Sequence, residues 1–280
     1  MILSPKELRS ICQKPKYRTV GNWMARFIVR DLAIYGTWLV LHTPMRADSI
    51  ALISLLCGFA SAFLLAIPTA AALFAGAFML QVWYFLDHVD GQVARYYKEA
   101  DLTGTFFDFM IHFFVHSAVV FGLGMRMFFQ TGSVLWLILG FFSALAMGGL
   151  SQFHDCKYKV FFSSGLAPWE GKIVRLGVTS EPEVGVAGGE GTIPPIAGFA
   201  SKKAFIFLYK LTETHVFMNL LGLFAILELT KIGSWPWASK FVWSYAVLLP
   251  GVLTARMIYT IRTHRIDAEF ARRFSLVSQL

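Results

Sequence analysis

Six predominantly apolar runs divide the chain, near residues 49–67, 71–90, 104–129, 134–152, 204–230 and 240–261. Each is close to the roughly 20 residues that a helix needs to cross the hydrocarbon core of a bilayer. The third and fifth are long enough to tilt or to project beyond it. Composition supports a membrane reading. Of 280 residues, 56% are hydrophobic and only 15% charged, against roughly 25% charged in an average soluble domain. Disorder, a disulfide scaffold and a nucleic-acid-binding module are all excluded by that balance. The sequence predicts an all-α integral membrane protein with six transmembrane helices in a single domain over 1–280.

The net charge of +8 tells more by its placement than by its size. Basic residues crowd the N-terminal stretch (Lys6, Arg9, Lys14, Lys16, Arg18, Arg26, Arg30), the segment from Lys157 to Lys203, and the C-terminal tail (Arg262, Arg265, Arg272, Arg273). Only Arg126, Lys231 and Lys240 lie near the short connections around 68–70, 130–133 and 231–239. Lys and Arg are retained on the cytoplasmic side of membranes, so both termini are predicted to be cytoplasmic. No signal peptide is expected, since charges interrupt the first twenty residues and no apolar core precedes a cleavage site. Residues 22–42 set Trp23, Phe27, Ile28 and Leu32 against Arg26, Arg30 and Asp31, the pattern of an amphipathic helix lying in the headgroup region with its basic face towards anionic lipid. Residues 49–150 hold the first four spans and 204–262 the last two. Between them, 151–203 is expected to form a cytoplasmic loop, rich in Gly and Pro at its middle. Its start, from Ser151 to Phe162, could also continue the fourth helix. Cys12, Cys57 and Cys156 are scattered, with no CxxC spacing, and read as free thiols.

Polar residues in spanning helices are expensive, and each is a functional hypothesis. The second and third helices concentrate them: Asp87, Asp90, Arg95, Asp108, His112 and His116. Asp87 and Asp90, three apart, share a helix face with Ala94. Asp108 and His112, four apart, share a face of the next helix, with Gly104 one turn earlier. The residues from Tyr96 to Thr103 suffice to turn the chain and bring the two faces together. Three carboxylates and an imidazole would then meet near the cytoplasmic boundary. Carboxylates so close repel unless a cation sits between them. Hard oxygen ligands suit Mg²⁺ or Mn²⁺, and paired divalent ions commonly clamp groups undergoing in-line displacement at phosphorus. Arg95 could neutralise a phosphate. Gly91 and Ala94 leave room for something to approach the backbone.

The stretch Asp87-x2-Asp90-Gly91-x2-Ala94-Arg95-x8-Gly104-x3-Asp108-x3-His112 resembles the signature of the CDP-alcohol phosphotransferase (CDP-alcohol phosphatidyltransferase) family, D-x2-D-G-x2-A-R-x8-G-x3-D-x3-D. Seven of the eight fixed residues stand in register. Arg46-Ala47-Asp48-Ser49-Ile50-Ala51, opening the first span, also resembles a family segment, with Asp48 where an Asn is usual. The resemblance implies a phospholipid-synthesising enzyme that moves a phosphatidyl group from CDP-diacylglycerol to a small polar alcohol and releases CMP. It implies two divalent cations, Mg²⁺ or Mn²⁺, held by Asp87, Asp90 and Asp108. Gly91, Ala94, Arg95 and Gly104 would belong to the CDP-binding face, with Asp90 and Asp48 also among the substrate contacts. It further implies a homodimer in a bacterial-type inner membrane, with a CDP-linked lipid donor, an alcohol acceptor and the site open to the cytoplasm. Donors of the CDP-choline or CDP-ethanolamine type, with diacylglycerol as acceptor, are the alternative within the family.

The departure is His112, where the family carries a fourth aspartate, metal ligand and general base. Three readings stand: His112 is the base, helped by an ordinary imidazole pKa of about 6.5; it is a metal ligand, shifting preference from Mg²⁺ towards Mn²⁺; or the chain is a catalytically silent member that binds CDP-lipid or metal without turnover. An ion or proton transporter built on the Asp/His cluster is the rival from another class, but it has no need of Gly91, Ala94, Arg95 and Gly104. His116 reads as a helix-interior histidine and His88 as a spacer inside the motif. His154 and Asp155 either touch substrate or face the cytoplasm. Lys202, Lys203, Lys210 and Arg256 would meet an acceptor phosphate, or else snorkel towards lipid phosphates.

Overall fold

A computed structural model of the chain describes residues 3–13, 17–19, 21–165, 177–178, 203–232, 236–266 and 274–275. The described residues form α1 (Pro5–Cys12), a π-helical stretch (Ala25–Val29) running into α2 (Arg30–Val40), α3 (Ala47–Ala66), α4 (Ala70–Tyr97), α5 (Leu102–Thr131), α6 (Leu135–Gly165), α7 (Lys203–Leu211), α8 (Thr214–Leu229) and α9 (Trp237–Arg262). A two-residue pairing of Gly177–Val178 with Phe274–Ser275 is the sole extended element among them.

Local sequence sets several boundaries. Ser4 and Glu7 form a reciprocal capping box on α1, Thr69 Oγ1 accepts from the Ala72 amide at the start of α4, and Asp101 Oδ1 accepts from the Gly104 amide at the start of α5. Each such cap is worth about 1 kcal/mol. Lys98 (φ 57°) ends α4 and Gly132 (φ 70°) ends α5, both in the left-handed region that closes helices.

Among the described residues, five helices are long and apolar enough to cross a membrane, namely α3, α4, α5, α6 over its first part, and α9. The predicted fifth span is the exception in form. It is split at Thr212 and Glu213 into α7 and the 16-residue apolar helix α8. Thr212 Oγ1 donates to the Tyr209 carbonyl, and Tyr245 Oη from α9 donates to the Leu211 carbonyl. Side chains thus take up carbonyls that a continuous helix would have used. The protein is an integral membrane protein, with five long apolar helices and one shorter apolar helix among the described residues. Ser151 to Phe162 continues α6, which runs on to Gly165. Most of the remaining predicted loop lies outside the described residues, as do Lys14, Lys16, Lys202, Arg272 and Arg273.

The bundle is organised by α3 and α5 packing on each other, with α4 against α3, α6 against α5, α8 against α4, and α9 against α6. Its core holds Leu65, Leu80, Trp83, Val115, Leu123 and Leu221, each nearly inaccessible. Phe63, Phe78, Phe142 and Val247 point outward instead, as expected where lipid replaces water as the solvent. Two close approaches depend on missing side chains. A Cβ on Gly122 of α5 would lie 2.4 Å from the Ala62 carbonyl oxygen of α3, and one on Gly124 would lie 2.7 Å from the Gly140 Cα of α6. Small residues of this kind let membrane helices meet backbone to backbone.

Arg126 is not exposed at a connection. It is 1% accessible, donates from Nη1 to the Ile67 carbonyl and to the Thr69 carbonyl at 3.1 Å, and lies within electrostatic reach of Glu228. Its charge thus satisfies carbonyls at the end of α3. At the opposite end of the bundle, α1 and α2 pack over the end of α4, with Leu8 and Cys12 buried beside Ile34, Leu41, Tyr96 and Tyr97. The exposed face of the π stretch and α2 carries Trp23, Phe27, Leu32, Tyr35 and Leu39, so it is more apolar than the amphipathic pattern suggests. Arg26 stacks on Phe27 at 4.9 Å, and Asp31 takes Arg9 and Arg18 at 3.6 and 3.1 Å.

Candidate functional site

Residues 98–101 join α4 to α5, and side chains from the two helices meet, as the spacing predicts. His112 Nε2 lies 2.9 Å from Asp87 Oδ1 and 3.3 Å from Asp108 Oδ1. Asp87, Asp108 and His112 can each offer one ligand atom, all within 4.8 Å of one another, and form the candidate cation group found among the described residues. Asp90, one turn beyond Asp87, is outside that tight group but within electrostatic reach of Asp87, Asp108 and His112. All four thus share one electrostatic site, at the end of the bundle covered by α1. Asp108 is half exposed and Asp87 nearly enclosed, at 50% and 13% side-chain accessibility, so the site is walled by α4 and open over α5.

Aromatic and imidazole groups hold this cluster in place. The Trp83 ring packs edge-on against His112 at 5.1 Å and His116 at 5.4 Å, and the two imidazoles meet at 5.4 Å. His116 is therefore buried as part of the wall, in keeping with its helix-interior reading. His88 is more than a spacer. Its Nδ1 lies 2.9 Å from the Tyr84 carbonyl and 3.5 Å from Asp87 Oδ2, so the two oxygens of Asp87 face two different imidazoles. Tyr84 in turn accepts on its hydroxyl from Asn22 Nδ2 at 2.8 Å, tying the start of the π stretch to α4. Trp83 and Tyr84 are the residues that sequence reasoning passed over, and His88 is the one it read only as a spacer. The available signal was their spacing, since position 83 is one turn before 87 and 84 is one turn before 88.

The other signature residues are placed differently from one another. Gly104 stands exposed in the first turn of α5 with its amide already taken by Asp101. Gly91 sits under the Arg95 side chain, and a Cβ there would lie 3.3 Å from Arg95 Nη1. The room left by Gly91 thus holds the guanidinium of Arg95. Arg95 Nε donates to the Cys12 carbonyl, fastening the C-terminal end of α1, where a cation is favourable. Burial in this contact raises the Cys12 thiol above its ordinary pKa, with the Arg95 charge opposing, which fits an unreactive free cysteine. Replacing Arg95 by Met is expected to loosen α1, seen as faster amide hydrogen exchange across Pro5–Cys12. Unchanged exchange there would mean that apolar packing alone holds α1.

Asp48 is exposed in the first turn of α3 and lies outside the tight group. Its neighbour Arg46 pairs with Glu99 at 2.8 Å and stacks on Tyr97 at 4.0 Å, so the start of α3 borders the same turn as the site. Arg256 stacks on Phe153 at 4.1 Å and lies 3.4 Å from the Tyr209 hydroxyl, joining α6, α7 and α9. The side chains of His154, Asp155 and Lys203 lie outside the described residues.

The donor set suits a divalent cation. Asp87 and Asp108 converge on one point, and two carboxylates held so close call for positive charge between them. Oxygen and imidazole donors together exclude neither Mg²⁺ nor Mn²⁺.

Residues 45–172 match the family model described as CDP-alcohol phosphatidyltransferase, a range that spans α3 through α6 and the whole signature. No curated protein matches the chain. Among solved structures, the chain is similar to phosphatidylinositol phosphate synthase of Mycobacterium tuberculosis, solved with CDP-DAG bound. The identity is 17%, the match covers 83% of this chain and 92% of that one, and the TM-score is 0.52. At that identity the likeness is one of fold.

Proposed function

We propose that this chain, whose residues 45–172 belong to the CDP-alcohol phosphatidyltransferase family, moves a phosphatidyl group from CDP-diacylglycerol to a small polar alcohol and releases CMP. The chain is a transferase of substituted phosphate groups. The observation that carries the donor and metal reading is the convergence of Asp87, Asp108 and His112 from α4 and α5, with Asp90 beside them, in the register of the family signature. The CDP-DAG held by the structural neighbour supports the choice of lipid donor.

In this reading Asp87, Asp90 and Asp108 hold two divalent cations, Mg²⁺ or Mn²⁺, which would neutralise the pyrophosphate of the donor. The residues of the site fix the donor in line with the acceptor, and positioning with charge neutralisation supplies most of the acceleration. The acceptor oxygen forms a bond to the phosphorus distal to cytidine, the bond from that phosphorus to the bridging oxygen breaks, and CMP leaves with the electron pair. The hydroxyl proton passes to a base. In this reading His112 Nε2 is either that base or a cation ligand, since one lone pair serves a single role at a time. Asp48, Gly91, Ala94 and Gly104 border the donor, and Arg95 supports its face through α1. The distribution of Lys and Arg supports cytoplasmic termini and a site open to the cytoplasm, and the reading assigns the chain to a bacterial-type inner membrane. A homodimer follows from the resemblance alone.

The test is CMP release by the detergent-purified protein given CDP-diacylglycerol, Mg²⁺ or Mn²⁺ and a mixture of small alcohols. Release that requires metal and an alcohol is expected, and the mass of the lipid product names the acceptor. No release, with CDP-choline and diacylglycerol also tried, would overturn transfer and favour a silent binding site. His112 in place of the fourth aspartate is the observation that keeps this second reading in play.

A further inference from the structure

We infer that Asp87, Asp108 and His112 form a mixed nitrogen–oxygen cation site in which His112 Nε2 is a metal ligand, so that the site takes Mn²⁺ in preference to Mg²⁺. The inference rests on the transferase reading only in expecting a divalent cation here. His112 Nε2 donates to Asp87 Oδ1 at 2.9 Å and lies 3.3 Å from Asp108 Oδ1, so a cation bound among the three would take the place of its proton, and one ligand atom from each lies inside a 4.8 Å group. Trp83 and His116 flank the imidazole, which fixes the direction in which Nε2 points. The other imidazole in contact with Asp87 plays a different part. His88 reaches Asp87 Oδ2 with the same nitrogen that is bonded to the Tyr84 carbonyl, so it orients the carboxylate from behind and leaves Oδ1 facing the site. Metal ligands are commonly held by such outer partners, whose loss costs about 10- to 100-fold in metal affinity.

The chemistry of the exchange from aspartate to histidine sets the preference. It removes one negative charge from the ligand set and replaces a hard oxygen with a borderline nitrogen. Mg²⁺ prefers oxygen ligands and gives up its waters reluctantly. Mn²⁺ and later divalent ions bind a set containing imidazole better. Asp108 is half exposed, which leaves an open side where water or a substrate oxygen completes the shell. A lone pair given to the cation cannot also take the proton of the acceptor, so ligation assigns that proton to another group.

The experiment uses the purified full chain with Mn²⁺ as the probe. Pulsed electron paramagnetic resonance reads whether bound Mn²⁺ is coupled to a ¹⁴N nucleus, and Mg²⁺ competition reads selectivity. In the wild type, ¹⁴N coupling and tighter binding of Mn²⁺ than of Mg²⁺ are expected. His112→Asp should still bind Mn²⁺, lose the coupling and narrow the preference. His88→Gln should keep the coupling, which excludes His88 as its source. Mn²⁺ bound without ¹⁴N coupling would overturn the inference and return Nε2 to the base role, and so would a wild type that binds no Mn²⁺. CMP release from the same samples is scored separately, so a silent protein with ¹⁴N-coupled Mn²⁺ would sink the transferase reading and leave this one standing.

Discussion

Asp87→Asn is expected to lower CMP release by about 10²- to 10³-fold, the scale seen when a group that stabilises transition-state charge is lost. The substitution is nearly isosteric, so it isolates charge from shape. Asp87 faces His112 with one oxygen and His88 with the other, and it is the carboxylate most enclosed by the bundle. Asparagine keeps one acceptor and brings in an amide that repels a cation. The protein should therefore fold, elute as the wild type does, and retain α1, while turnover falls. CMP release per folded protein, with elution from a sizing column as the control, is the measurement. Turnover within tenfold of wild type would remove Asp87 from the chemistry and with it the proposed placement of the cations.

The largest effect on stability is expected at Gly122. A Cβ there would stand 2.4 Å from the Ala62 carbonyl oxygen and 3.3 Å from its carbon. These are backbone atoms inside α3 and cannot swing aside as a side chain can. Overpacking of this kind costs about 1–3 kcal/mol in ordinary cores, and Gly122→Val should reach the upper end or beyond because two helices must separate. Thermal melting in detergent is the readout, with a clear fall in Tm expected. Gly222 provides the contrast. Nothing lies within 4 Å of a Cβ at that position of α8, and Ala removes the helix penalty of Gly, about 0.5–1 kcal/mol. A Gly222→Ala melt equal to or above wild type, beside a depressed Gly122→Val, would tie the effect to contact rather than to glycine itself. Equal melts for the two would refute the close-packing account.

The long helices were legible because each apolar run obeys a length requirement that the bilayer imposes. The candidate cluster was legible because helix spacing puts Asp87 with Asp90, and Asp108 with His112, on shared faces. What the spacing could not reveal was contact between distant parts of the chain. Arg95 reads as a phosphate partner, but its Nε is taken by Cys12, 83 residues away, and no periodicity points there. The break between α7 and α8 has neither Pro nor Gly at 212–213. It depends on Tyr245, whose hydroxyl reaches back from α9 to the Leu211 carbonyl. α1 was legible in principle, since Ser4, Pro5 and Glu7 form a helix start, but eight residues give too little apolar periodicity to draw attention. Arg126 shows the limit of counting charges by position, because a residue next to a predicted connection proved to be buried and bonded to the end of α3.

The 16 residues of α8 reach about 24 Å at about 1.5 Å per residue, short of the roughly 30 Å that lipid tails occupy. A bilayer accommodates a short span by thinning around it. α8 packs on α4, the helix that carries Asp87 and Asp90, so thinning around α8 would fall beside that helix. There the water boundary would dip inward. In the proposed reaction a polar alcohol would then descend a shorter way from the aqueous phase, and a lipid headgroup would rest lower than it does in undisturbed membrane. By its shortness, α8 would bring two reactants of opposite solubility to one depth.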